Sequence, residues 1–351
     1  MRSFGLWYKC NESATDSPIF SLDINFWSES VKKKNSAPAL DIGIKIEEFK
    51  NLNKLIFHCP FIINNSDITD LSEKLSKKEN ANIIFNIDGE IETKDSYFIY
   101  SFEKNNKREA LLLCPLSPNF SSLCNPPEEI NQTDICFDFS KIFPHIKGKQ
   151  KFTNITGIYI RFRITSKEFQ NNIYFDCEPA NKSFESAFSG TRIFDFKINE
   201  KRNLDSRIIT KIEQEHYSFS QLENVHLLVM EPSSYDLESF ANNQLTCREL
   251  ENTLWDDYFG EHINYSKGRV LAYHWKFKGE CSCLIKIRYS KTNLSTIMAY
   301  IIMALSIGIV GEAIISTLQS ALTTKPCLTV IFSYVVGIIL FIIGLFLGRK
   351  Q

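Results

Sequence analysis

Starting at Ala304, every fourth residue is small or polar: Ala304, Gly308, Glu312, Ser316 and Ser320. The row lies in the most apolar part of a chain of 351 residues. Residues four apart share one face of an α-helix, so this spacing draws a narrow polar stripe along a helix otherwise rich in Ile, Leu, Met and Val. An ionised carboxylate in hydrocarbon costs a few kcal/mol even on the mildest insertion scale. The stripe must therefore face protein or water, and two chemistries satisfy that demand. In the first, Glu312 lies near the membrane interface and snorkels or hydrogen-bonds inside a helix bundle. In the second, several copies assemble and Glu312 forms a ring along a cation pathway. Two helices from one chain cannot enclose a pore, so the second chemistry requires a homo-oligomer.

A separate constellation is basic. In "GIYIRFRI", Ile158, Ile160, Phe162 and Ile164 share one strand face, and Tyr159, Arg161 and Arg163 share the other. The following "TRIFDFKINEKRNLDSRIITK" adds Arg192, Lys197, Lys201, Arg202, Arg207 and Lys211. Guanidinium and aromatic groups together suit phosphates and stacked bases, so a nucleotide or short oligonucleotide is one candidate ligand. The alternative is a solvated strand face paired with acids on a neighbouring strand.

Familiar catalytic patterns are missing from the sequence: no Walker A loop, GxGxxG, HExxH, GxSxG or paired CxxC occurs. The six histidines lack ligand spacing, and Cys281 and Cys283 form the only close cysteine pair. No catalytic residue, metal site or cofactor is assigned, and enzymatic activity is not expected, although an anchored hydrolase stays open because catalytic residues need not be adjacent in sequence.

The elements that must position these groups divide at about residue 290. Two apolar runs, 294–318 and 328–347, have the length of membrane spans, with Pro326 between them. They predict a C-terminal two-helix transmembrane hairpin in residues 291–351. Gly337, Gly344 and Gly348 let another helix approach the second span closely. Lys276, Lys278, Lys286, Arg288 and Lys291 precede the first span and Arg349 and Lys350 follow the second, whereas the connection holds Lys325 alone. Basic residues stay cytoplasmic, so both termini are expected on that side. The opening "MRSFGLWYKCNESATDSPIF" does not read as a secretory signal, and scattered cysteines beside apolar runs read as reduced thiols. Sequons at Asn11, Asn64, Asn119, Asn131, Asn154, Asn181, Asn264 and Asn293 pull toward a luminal reading, although many arise by chance in a chain rich in Asn, Ser and Thr.

Residues 1–290 alternate with period two in "LDIGIKI", "NIIFNID", "SYFIYSF", "DICFDF", "GIYIRFRI", "RIFDFKI" and "HLLVM". Such alternation predicts strands and a mainly β, antiparallel sandwich-like region. Minor helices are expected at "SDITDLSEKLSKK" and "CRELENTLWDDYF". The Pro pair in 121–134 marks either a boundary between two lobes or a long loop. "AYHWKFK-GE-CSCLIKIRYS" reads as a β-hairpin whose second strand leads almost directly into the first span.

At the level of this order of parts and of the polar row around Glu312, the chain resembles membrane effectors of bacterial antiphage defence, such as those of CBASS and Hailong-type systems. The resemblance implies a cytoplasmic sensing domain that controls short helices assembling as a gated ion channel or pore in the bacterial inner membrane. It also implies a nucleotide-type trigger or a partner protein encoded nearby. It carries over no binding site. The competing reading is a membrane-anchored binding or scaffold protein whose hairpin only localises it.

Overall fold

Alternating runs become strands here because each has an apolar face to bury. The computed structural model describes residues 2–11, 17–28, 37–94, 97–118, 120–124, 131–140, 155–177, 189–239, 246–250, 255, 258, 269–290, 294–321 and 328–349. The first part of the chain forms β1 (Gly5–Cys10), β2 (Ile19–Trp27), β3 (Ala39–Glu47), β4 (Leu52–Cys59) and β5 (Ile68–Asp70), then α1 (Ser72–Leu75) and α2 (Lys78–Phe85). Strands β6 (Gly89–Lys94), β7 (Tyr97–Lys104), β8 (Lys107–Leu113), β9 (Ser121–Cys124), β10 (Thr133–Asp138) and β11 (Gly157–Thr165) follow. Next come α3 (Phe169–Asn172), β12 (Tyr174–Cys177), β13 (Ser189–Ile198), α4 (Ser206–Gln214), β14 (Ser218–Phe219) and β15 (Leu222–Pro232). The chain continues through β16 (Asp236–Ser239), β17 (Thr246–Glu249), β18 (Val270–Phe277) and β19 (Cys281–Ser290), and its last helices are α5 (Leu294–Ala321) and α6 (Leu328–Arg349).

The protein is mainly β. A five-stranded sheet has the order β14-β1-β4-β10-β9, and a four-stranded sheet the order β12-β13-β19-β16. The ten-stranded sheet runs β17-β18-β15-β2-β3-β11-β8-β7-β6, with β5 also on β11. Pairing is antiparallel except for β15 with β2 and β11 with β8, among the pairs whose register is described. Leu22, Ile24 and Phe26 of β2, Ile42, Ile44 and Ile46 of β3, and Ile158, Ile160, Phe162 and Ile164 of β11 are fully buried. Phe57 of β4 and Phe137 of β10 meet Phe162 at 5.7 and 6.0 Å between ring centres, so the five-stranded sheet packs on this face. Phe194 of β13 meets Phe26 at 4.6 Å. Stacked sheets closed by aromatic side chains are a sandwich arrangement.

Four expected elements differ. Asn82–Phe85 of "NIIFNID" belong to α2, not to a strand. Ile83, Ile84 and Phe85 are consecutive and do not alternate, and Asn86 (φ 52°) ends the helix in the left-handed conformation. The "SDITDLSEKLSKK" run holds β5 as well as the four-residue α1. "AYHWKFK-GE-CSCLIKIRYS" is no hairpin, because β18 and β19 lie in different sheets. Both edges of β18 are taken, by β15 and by β17, so the turn at Gly279 (φ 76°) carries the chain to another layer. In "CRELENTLWDDYF", Cys247–Glu249 are strand, and much of the remainder lies outside the described residues. The Pro pair of 121–134 lies there too, between β9 and β10, which are neighbours in one sheet.

The chain divides into two units: Met1–Phe175 with Ile193–Ile287, and Asp176–Arg192 with Arg288–Gln351. In the second unit, α5 and α6 pack antiparallel. The Thr317 and Tyr334 hydroxyls are 3.2 Å apart, while Gly344 lies against Ala299 and Met303. Among the described residues, one helix is long and apolar enough to cross a membrane, over Ile297–Gln319 (23 residues). In α6 the apolar stretch among the described residues is Val330–Gly344.

Phe162→Ala is expected to cost about 3–5 kcal/mol, because it leaves a cavity between two sheets. Ile62→Ala, at a residue 51% exposed, should change stability by no more than about 0.5 kcal/mol. Denaturant unfolding followed by tryptophan fluorescence checks both.

Candidate functional site

The polar row of α5 can now be placed against its neighbour. Ala299, Ser306 and Ala313 recur every seven residues and are 0–2% exposed. On α6, Gly337 and Gly344 share that interval. A Cβ added at Gly337 would sit 2.6 Å from Val310 Cγ2, and one at Gly344 2.6 Å from Met303 Cγ. These two glycines therefore let the backbones close up, while Gly348 lies in the last turn of α6. The row starts on the other side of α5 at Ala304 and turns toward the packed repeat, which Ser320 continues seven residues after Ala313. Ala304, Gly308 and Glu312 are exposed and Ser316 is half-buried. Around Gly308 and Gly311 an added Cβ would meet nothing within 4 Å. Ser320 continues the helix, with its side chain outside the described ones. The chain's own second helix thus leaves Glu312 uncovered.

The second constellation is built across the outer face of the ten-stranded sheet. Register places Asp23 and Arg161 on either side of Gly43, and Asn25 and Arg163 on either side of Asp41. On the β15 side, His226 pairs with Asp23 and Leu228 with Asn25. This face is not solvated. Tyr159 and Arg161 are 1% exposed and Asp41 is fully buried. An apolar layer that includes Leu71, Ala81, Tyr100, Leu250, Trp255 and Tyr258 covers it.

Asp41 gathers the charges. Arg163 donates to both its oxygens (2.5 and 2.9 Å), and Trp27 Nε1 (3.2 Å) and the Tyr258 hydroxyl (2.9 Å) also donate to Oδ2. Burial pushes the Asp41 carboxyl up, but Arg163, helped by Arg161 and Tyr258, more than reverses this and holds it below its ordinary value. Arg161 has neutral partners: Nε donates to Tyr258 (2.7 Å) and Nη1 to Tyr159 (2.8 Å). Its Nη2 donates to the Asn25 side-chain oxygen (2.8 Å) when that amide is oriented to donate to the Ile24 carbonyl. Tyr159 in turn donates to Asp23 (3.1 Å). Gly43 is required here, since a Cβ would lie 2.0 Å from the Tyr159 hydroxyl and 2.8 Å from Arg161 Nη1.

Arg161 also lines a cavity of about 740 Å³. Asp23, Asn25, Phe85, Trp255, His226 and His274 contribute to its wall. The two imidazoles are stacked with Nδ1 of His226 3.0 Å from Nε2 of His274, and burial lowers the pKa of each.

Most of the basic candidates have acidic partners. Arg163 is spent on Asp41, and Arg192 donates to Asp176 (2.7 Å) under the ring of Tyr289. Lys197 lies 3.5 Å from Asp195, Arg202 pairs with Glu200, and Arg207 with Asp205 at the start of α4. Of these candidates, Arg161 alone lines the cavity among the described residues. Asp23, Asn25, Asp41, Tyr258 and the histidine pair were not singled out from the sequence. A signal existed for three of them: Asp23, Asn25 and Asp41 occupy the polar face of strands whose other face is wholly apolar.

No protein-family model matches the chain, and no curated protein matches it. Among solved structures, it aligns with the mu homology domain of Danio rerio Fcho1 with bound Eps15 peptide. The alignment covers 82% of this chain and 79% of that one at 7% identity, with a TM-score of 0.14, too low to carry a statement about fold or function.

Because the folded Asp41 pKa is depressed, its stabilisation is present above the unfolded value of about 3.9. It is lost as pH falls through the lower, folded value. Asp41→Asn should flatten that part of the profile and destabilise by about 3–5 kcal/mol, by leaving buried guanidinium unpaired. Unfolding midpoints across a pH series test both effects.

Proposed function

We propose that this chain is a membrane effector that assembles into a gated oligomeric ion channel, with its β-rich region as the sensor. The observation that carries the reading is the exposure of Ala304, Gly308 and Glu312 on α5, away from Ala299, Ser306 and Ala313, which pack on α6. A carboxylate on an apolar helix must meet protein or water, and a ring of α5 helices from several copies supplies both. In this reading α5 and α6 cross together as a hairpin, with Arg349 and the basic residues before Leu294 on the cytoplasmic side. The membrane is the bacterial inner membrane and the setting is antiphage defence, in which loss of the membrane potential halts the infected cell. Gating passes along β19, which ends at Ser290 shortly before α5 begins. To turn a rare open state into the dominant one, a ligand or partner must bind the two states with affinities differing by about 10⁴-fold.

The competing reading is a membrane-anchored binding or scaffold protein. It draws on the one helix that meets the length and hydropathy of a span, which is enough to localise a sensor.

A voltage-sensitive dye in bacteria expressing wild type or Glu312→Gln at matched membrane levels separates the two under phage infection. Depolarisation by wild type, with reduced cation preference in the variant, supports the channel. No change of potential with either protein overturns it, and an unrelated two-helix segment should then restore full function.

A further inference from the structure

We infer that the cavity over β2, β3, β11, β15 and β18 is a binding site for a small organic anion that carries a planar ring, with the Arg161 guanidinium as the anchor of its anionic group. The inference deepens the sensing half of the proposed function and rests on that reading only for what binding triggers.

The first reason is charge. Two guanidinium groups are packed beside one fully buried carboxylate. Asp41 is engaged at both oxygens by Arg163, Trp27 and Tyr258, which is about what a carboxylate can accept. Arg161 is left with two hydroxyls and an amide, and no carboxylate lies within ion-pair distance of it among the described residues. One carboxylate is thus shared between two buried guanidinium groups, and a ligand anion supplies a second counter-charge. Each terminal nitrogen of Arg161 has a second N–H beyond those already used, which suits the paired oxygens of a phosphate or carboxylate.

The second reason is shape. Arg161 is 1% exposed yet borders a space of about 740 Å³, within the range of small-molecule sites. Phe85, Phe102 and Trp255 form an aromatic wall for a planar ring, and Leu228 and Ala272 extend the apolar floor. Asp23 and Glu223 also line the cavity and call for hydrogen-bond donors on the ligand. The cavity therefore asks for an anionic end, a flat apolar body and donor groups. A nucleotide phosphate and a ring-bearing carboxylate share this chemistry.

Isothermal titration of the full chain in detergent tests it with two probes, adenosine 5′-monophosphate and indole-3-acetate, and with adenosine as the uncharged comparator. Saturable binding of at least one anion is expected, and which one binds tells phosphate from carboxylate. Arg161→Lys should weaken it about 10- to 100-fold, the worth of charge-assisted hydrogen bonds. Leu228→Trp, which fills the cavity and leaves Arg161 in place, should abolish it, and this variant decides the matter if Arg161→Lys fails to fold. The proposal is overturned if neither anion binds saturably, if adenosine binds as well as its phosphate, or if Leu228→Trp leaves binding unchanged. Binding without any effect on membrane potential would sink the gating reading alone. A Glu312-dependent change in potential with no binding would sink the site alone.

Discussion

One buried carboxylate organises the β-rich unit. Asp41 lies at the centre of the ten-stranded sheet, and its bonds reach β2 through Trp27, β11 through Arg163, and the covering layer through Tyr258. Such a group is stable only if its neighbours are fixed, because breaking a buried ion pair costs more than the pair contributes. The requirement accounts for Gly43, whose missing side chain lets Tyr159 and Arg161 lie across β3. It also accounts for the covering layer, since strong ionic bonds on that face need water excluded. The cavity beside Arg161 is what that layer leaves open.

The helical pair obeys a different constraint. A helix packed on one partner presents a seven-residue repeat to it, and Ala299, Ser306 and Ala313 supply that repeat on α5. The four-residue row through Glu312 begins on the opposite side and drifts toward that repeat, so that Ala304, Gly308 and Glu312 are exposed and Ser316 is half-buried. A single helix thus has a small-residue face matched to Gly337 and Gly344 and, at Ala304, Gly308 and Glu312, exposed positions that α6 does not cover. The two faces have separate consequences: the first holds the pair together, and the second bears on what surrounds it.

Errors in reading the sequence followed the physics of each pattern. Period-two alternation located β3, β7, β10, β11, β13 and β15, because an apolar face of that period can be buried only by a strand. It failed at Ile83–Phe85, where consecutive apolar residues fit neither period. The turn at Gly279 was legible as a turn, but not whether the strands it joins would pair. That depends on β15 and β17, distant in sequence, having already filled both edges of β18.

By itself, the sequence determined the strand-rich character of the chain, the two C-terminal helices and the small or polar row that holds Glu312. Each follows from local periodicity. Only the tertiary structure decided that the polar faces of β2, β3 and β11 are covered, that Arg163 takes Asp41, and that Arg161 opens on a cavity. Alternation says which residues share a face, and it is silent on whether that face meets water or a second layer of protein. The answer lies with Trp255 and Tyr258, about a hundred residues away from β11, and contacts at that separation leave no mark on the local pattern.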